Sequence, residues 1–179
     1  MSLKRTEIRK QVELLLNGNT DAGTSVWPTR ARELNDEMLP AILIYTNSEQ
    51  VELFEEAPRR YRRTLELEIQ VITLADEYCD DALDLISNQV ERILGKNDDL
   101  QGLVESCDLS SVVMGVFDNG STLRGASVLT FDVVYYDENP TYEEFDKDTL
   151  ERLDTTIIPA TKEMGETPAA TDQIDLDTF

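Results

Sequence analysis

The chain has 179 residues, 40% apolar and 30% charged, and its 16 basic against 37 acidic side chains give a net charge of −21. That charge argues against a general nucleic-acid binder, which draws affinity from neutralising phosphates, and against adsorption to anionic membranes. Histidine is absent, and with it go Ser-His-Asp and Cys-His nucleophilic sites, His-ligated zinc and the usual near-neutral general base.

The opening MSLKRTEIRK has no apolar core of the kind a signal peptide needs. No run approaches about 18 apolar residues, so the expectation is a cytosolic site of synthesis without a membrane span. Residues 3–16 predict a helix, with Ile8, Val12, Leu15 and Leu16 on one face and Asn17-Gly18 stopping it. Residues 17–25 are turn formers, and a short apolar piece, Val26-Trp27, precedes Pro28. Residues 40–45 (PAILIY) form a continuous apolar run, the mark of a strand covered on both faces. A polar stretch, 46–61, contains Pro58 and reads as a connection. Over 62–74 the pattern alternates: Leu65, Leu67, Ile69 and Val71 face one way, Glu66, Glu68 and Gln70 the other.

A second helix is predicted over 76–94, with Ala82, Ile86, Val90 and Ile93 on one face, Leu85 and Leu94 beside them, and Gly95 as its stop. Residues 109–117 and 124–136 predict two strands joined around Asp118-Asn119-Gly120, Asn-Gly between apolar runs being a hairpin signal. The sum is an α+β fold in the order α-β-β-α-β-β. It has a mixed, mostly antiparallel four- to five-stranded sheet packed against two helices on one face, and an extended C-terminal tail.

Charge divides the chain unevenly. Residues 1–75 hold 10 basic and 12 acidic side chains, net −2, whereas 76–179 hold 6 and 25, net −19. The last 43 residues alone carry 3 basic against 13 acidic. With Pro140, Pro159 and Pro168 and no sustained period, 139–179 reads as an acidic tail, either disordered or an extended arm that lies on a partner. Residues 1–138 are the folded domain.

Few residues carry candidate chemistry. Arg59, Arg60, Arg62 and Arg63 flank Tyr61 in the only dense positive patch. The patch reads as a contact for an acidic protein surface, as a nucleic-acid contact, or as a solvated loop and strand end balanced by Glu55, Glu56, Glu66 and Glu68. Asp80, Asp81 and Asp84 could hold a hard divalent ion, but favourable placement at a helix N-terminus accounts for them. Glu66 and Glu68 share a strand face, yet acid–base work needs a cleft that raises one pKa, and none is evident. Asp118-Asn119-Gly120 places its glycine wrongly for a calcium loop. Cys79 and Cys107 are too sparse for a zinc site and read as small buried apolar residues. Trp27-Pro28 reads as core edge or an interface anchor. No cofactor, metal or catalytic constellation is expected, and so no enzyme.

Taken in order, these features resemble the tail terminator family of long-tailed phages, the lambdoid minor tail protein U type. The likeness rests on Thr6-Glu7-Ile8-Arg9 opening the first helix, and on Thr29 to Ala31 after Val26-Trp27-Pro28. It continues through Leu39-Pro40-Ala41-Ile42-Leu43-Ile44-Tyr45 and Leu65-Glu66-Leu67-Glu68-Ile69-Gln70-Val71 to the closing hairpin arm, Ala126 to Tyr136. The likeness covers about 1–137, and the acidic segment after 138 departs from the short lambdoid form. The resemblance implies a virion protein of the tail–neck region, assembled in the bacterial host cytoplasm. Copies would form a hexameric ring that caps the tail tube, stops its polymerisation and offers a surface for head joining. The implied partners are a second copy of the chain, the tail tube protein and a head-completion or connector protein, with DNA passing through the ring unbound. On this reading Arg59, Arg60, Tyr61, Arg62 and Arg63 are the subunit or tube contact, and loops or strand edges such as 46–63 make the ring joints. Two other readings stay open: another neck or head–tail connector protein, and an acidic adaptor or DNA mimic.

Overall fold

Period-two and period-3.6 patterns both become elements in the computed structural model, which describes residues 3–28, 34–118, 123–138, 152–156 and 171–175. Helix α1 spans Lys4–Leu16 and buries Ile8, Val12 and Leu16. It stops at Asn17 because Gly18 takes a left-handed φ of 74°, a conformation that costs glycine little. Strand β1 (Val26–Trp27) runs parallel to β2 (Ala41–Glu56), which pairs antiparallel with β3 (Arg59–Leu74). Helix α2 (Cys79–Lys96) crosses over to β4 (Ser106–Asp118), and β4 pairs antiparallel with β5 (Leu123–Glu138). The strand order β1-β2-β3-β5-β4 makes one five-stranded mixed sheet, as the α+β reading expects.

Both helices pack on one sheet face. Ile8, Val12 and Leu16 of α1 and Leu83, Ile86, Val90 and Leu94 of α2 form one core with Ile42, Ile44, Leu65, Leu67, Ile69, Leu129, Phe131 and Val133. Leu43, Tyr45 and Ile72 point the other way and are covered by Trp27, Leu34 and Leu39. The run 41–45 is therefore buried on both faces, as its unbroken apolar character requires. Trp27 takes the core-edge role.

Three sequence expectations need correction. The polar stretch 46–61 is not a connection. It is the second half of β2, a turn at Ala57-Pro58 and the start of β3, touched by α1 only at its root, where Arg9 donates to Thr46 and Arg5 lies near Glu49. With no apolar layer to cover, its alternation is carried by charge and so escapes a hydrophobic reading. The buried stripe of α2 is Cys79, Leu83, Ile86, Ser87, Val90 and Leu94, rotated from the expected one, and Leu85 is exposed. Gly95 lies within α2, which ends at Asn97. The hairpin of β4 and β5 is present, while its Asn119-Gly120 turn lies outside the described residues, as do Thr29 to Ala31.

The chain divides into two compact units, Met1–Glu138 and Asn139–Phe179. In the second, β6 (Arg152–Thr156) and β7 (Thr171–Asp175) pair antiparallel.

Candidate functional site

The four arginines stand on β3 rather than in a loop, and register decides what they meet. About the Ala57-Pro58 turn, Arg59 faces Glu56, Arg60 faces Glu55, Arg62 faces Glu52 and Arg63 faces Val51. The Arg60 guanidinium reaches Glu55 at 3.4 Å and Arg62 reaches Glu52 at 4.0 Å. Both pairs are solvent-accessible and contribute at most ~1 kcal/mol each. A patch that is positive in sequence is thus largely neutralised by its own hairpin partner, which weakens the nucleic-acid reading further. Arg59 is exposed at the tip and Tyr61 is half-buried, between Leu53 on β2 and Asp137 on β5.

Arg63 has a different role at the root of the hairpin. It holds Glu49 at 3.1 Å and Asp137 at 3.0 Å. The Glu49 carboxylate also accepts the Tyr135 hydroxyl and lies 3.7 Å from Arg5 of α1. One nearly buried carboxylate therefore ties α1, β2, β3 and β5 together. Burial first, and then the hydrogen bond to Glu49, push the Tyr135 hydroxyl well above its usual pKa.

On the helix-free face, Arg60 lies 5.6 Å from the centre of the Tyr136 ring, and Phe54 packs on the same ring at 4.9 Å. Beside them opens a cleft of 380 Å³ lined by Glu52, Leu53, Phe54, Arg62, Val134 and Tyr136. An exposed Phe54 and a half-buried Tyr136 beside arginine are the kind of side chains that anchor protein interfaces. Further along this face Glu66, Asp132 and Asp108 lie directly opposite one another across β3, β5 and β4. Like charges so placed repel and destabilise the sheet. Glu66 and Glu68 do share a face: Asn47 donates to both, and Ser48 donates to Glu66 at 2.9 Å.

Asp80 and Asp81 sit in the first turn of α2, where the helix dipole favours them. Among the described residues no cluster of three or more Cys, Asp or Glu is placed to hold a metal ion. Cys79 and Cys107 are buried, unpaired thiols; burial, with Asp108 and Asp98 nearby, pushes Cys107 up to about 12.

Sequence reasoning found the arginines but missed Glu49, Tyr135, Asp137, Phe54 and Tyr136. A partial signal was available, since Glu56 and Glu55 mirror Arg59 and Arg60 about Ala57-Pro58, whereas Glu52 meets Arg62 only through the bulge between Leu53 and Glu55. It missed Arg124 as well, a buried arginine on β5 that donates to the Leu34 carbonyl at 2.9 Å and pairs with Asp36 at 2.8 Å.

No curated protein matches this sequence. Among solved structures, a chain of the virion of a native gene transfer agent particle is similar with a TM-score of 0.34 and 11% identity, covering 74% of this chain and 98% of that one. The sequence pattern of a phage minor tail protein, U, matches residues 3–135, well over half of the chain. The chain belongs to the phage minor tail protein U family.

Proposed function

We propose that this chain is a tail terminator, a structural subunit that closes into a ring on the end of the finished tail tube. Its role is mechanical: to stop tube polymerisation and to present a surface for head joining. The observation that carries this reading is family membership across 3–135. The geometry supports it, because the long β2–β3 hairpin projects beyond the core and, with β5, lines a cleft of aromatic and arginine side chains. The partners on this reading are other copies, the tube protein and a head-completion protein. The acidic row of Glu66, Asp132 and Asp108 suits a face turned to passing DNA, since like charge does not hold phosphate. The segment 139–179 serves as an acidic appendage to a partner.

The test is electron microscopy of phage lacking the protein. Overlong tails are expected, and normal-length tails that fail to join heads would instead identify a connector. Complementing that phage with Arg59→Ser/Arg60→Ser/Arg62→Ser, which spares the root residue Arg63, should restore folded protein but not termination. Normal tails from this variant would overturn the hairpin tip as the contact.

A further inference from the structure

We infer that β4 is the edge to which a second copy of this chain adds, and that its partner strand is the unpaired outer edge of β2 in the neighbouring copy. This inference rests on the ring reading above and names its joint.

Among the described residues β4 pairs only with β5, so one side of its backbone is open. Residues 109–117 (LSSVVMGVF) contain no charge and no proline in a chain that is 30% charged. Natural edge strands are protected from pairing by lysine, proline, bulges or a covering element. The single bulge here lies between Leu109 and Ser111, and the strand beyond it is regular. That strand exposes apolar side chains on both faces: Val113 and Phe117 on the helix-free face, and Val112, Met114 and Val116 on the helix side. A strand of this kind left open is an aggregation site, so its native state is expected to be covered.

The opposite edge of the sheet fits as the cover. Among the described residues, β1 protects β2 only at Ile42 and Leu43 and no other strand pairs with the outer edge of its second half. That half also exposes Val51 and Leu53. Its glutamates already face arginines on β3, Glu49 with Arg63, Glu52 with Arg62 and Glu55 with Arg60. An uncharged β4 adds no repulsion, whereas a β2–β2 contact would oppose two rows of glutamates. Direction agrees too. In the order β1-β2-β3-β5-β4, the antiparallel steps leave β4 running opposite to β2. Rotation about an axis along the strands preserves direction, so β4 of one copy meets β2 of the next antiparallel and the ladder continues. Such a head-to-tail contact yields a ring when the rotation between copies closes.

The test uses the full chain, alone and with isolated tail tubes. Val113→Lys/Val116→Lys should retain native circular dichroism and lose about tenfold or more of the closed assembly by native mass measurement, as charges buried in the joint would weaken it. Val51→Cys/Val116→Cys in one chain, treated with a flexible bismaleimide, should give a ladder that ends at the ring; the buried native thiols stay silent. Each single variant should give none. Rings that survive the lysine pair, or dimers from Val116→Cys alone, would overturn the joint while leaving the ring reading intact. A wild-type chain that is monomeric both alone and on tubes would overturn both.

Discussion

At the scale of single residues, Gly125 shows how closely α2 lies on β5. A methyl group at that position would come within 2.1 Å of the Cys79 sulfur and 3.1 Å of Leu83. Removing a strand glycine ordinarily gains a few tenths of a kcal/mol or more through the unfolded state. The overlap outweighs that gain because Cys79 and Leu83 are both buried in the core. Gly125→Ala is expected to destabilise the fold by ~1–3 kcal/mol, read as a lower urea midpoint at unchanged slope. Adding Cys79→Ala should return part of the loss, and a double-mutant cycle with no coupling would contradict the contact.

At the scale of elements, the β2–β3 hairpin is held by two kinds of ion pair that differ in burial. Glu49 is nearly buried and joins Arg63, Arg5 and Tyr135, whereas Glu52 is open to water and only 4.0 Å from Arg62. Removing Glu49 leaves Arg63 half-compensated by Asp137 and strips the Tyr135 hydroxyl of its acceptor. Glu49→Ala should therefore cost ~2–3 kcal/mol, while Glu52→Ala stays within ~0.5 kcal/mol in thermal or chemical unfolding. Equal effects would mean that the root network does not anchor the hairpin. This contrast was not legible in the sequence. Arg59 to Arg63 look equivalent there, and only the strand register separates Arg63, above the core, from Arg60 and Arg62, above water. The same limit explains why 46–61 reads as a connection: cross-strand glutamate–arginine pairs hold it, and hydrophobic periodicity does not report them.

For the whole molecule, the proposed ring would bring together subunits that each carry −21, so repulsion would oppose the association argued from exposed β4. Salt shortens the reach of that repulsion from about 10 Å at 0.1 M to about 3 Å at 1 M while leaving apolar strand pairing intact. Sedimentation should show the closed assembly gaining population as salt rises. Dissolution by salt would instead mean that ion pairs make the joint.

The sequence by itself determined the local units: two helices, a strand buried on both faces, an alternating strand, a closing hairpin, and the family they spell out. Those signals repeat every 2 or 3.6 residues and depend on which side of one element is dry, a property neighbouring residues carry alone. The tertiary structure alone decided which charges meet, which strand edges are left open, and that one carboxylate, Glu49, joins four elements. Such facts depend on pairing between residues far apart in the chain, and a one-residue slip of register would reassign every one of them.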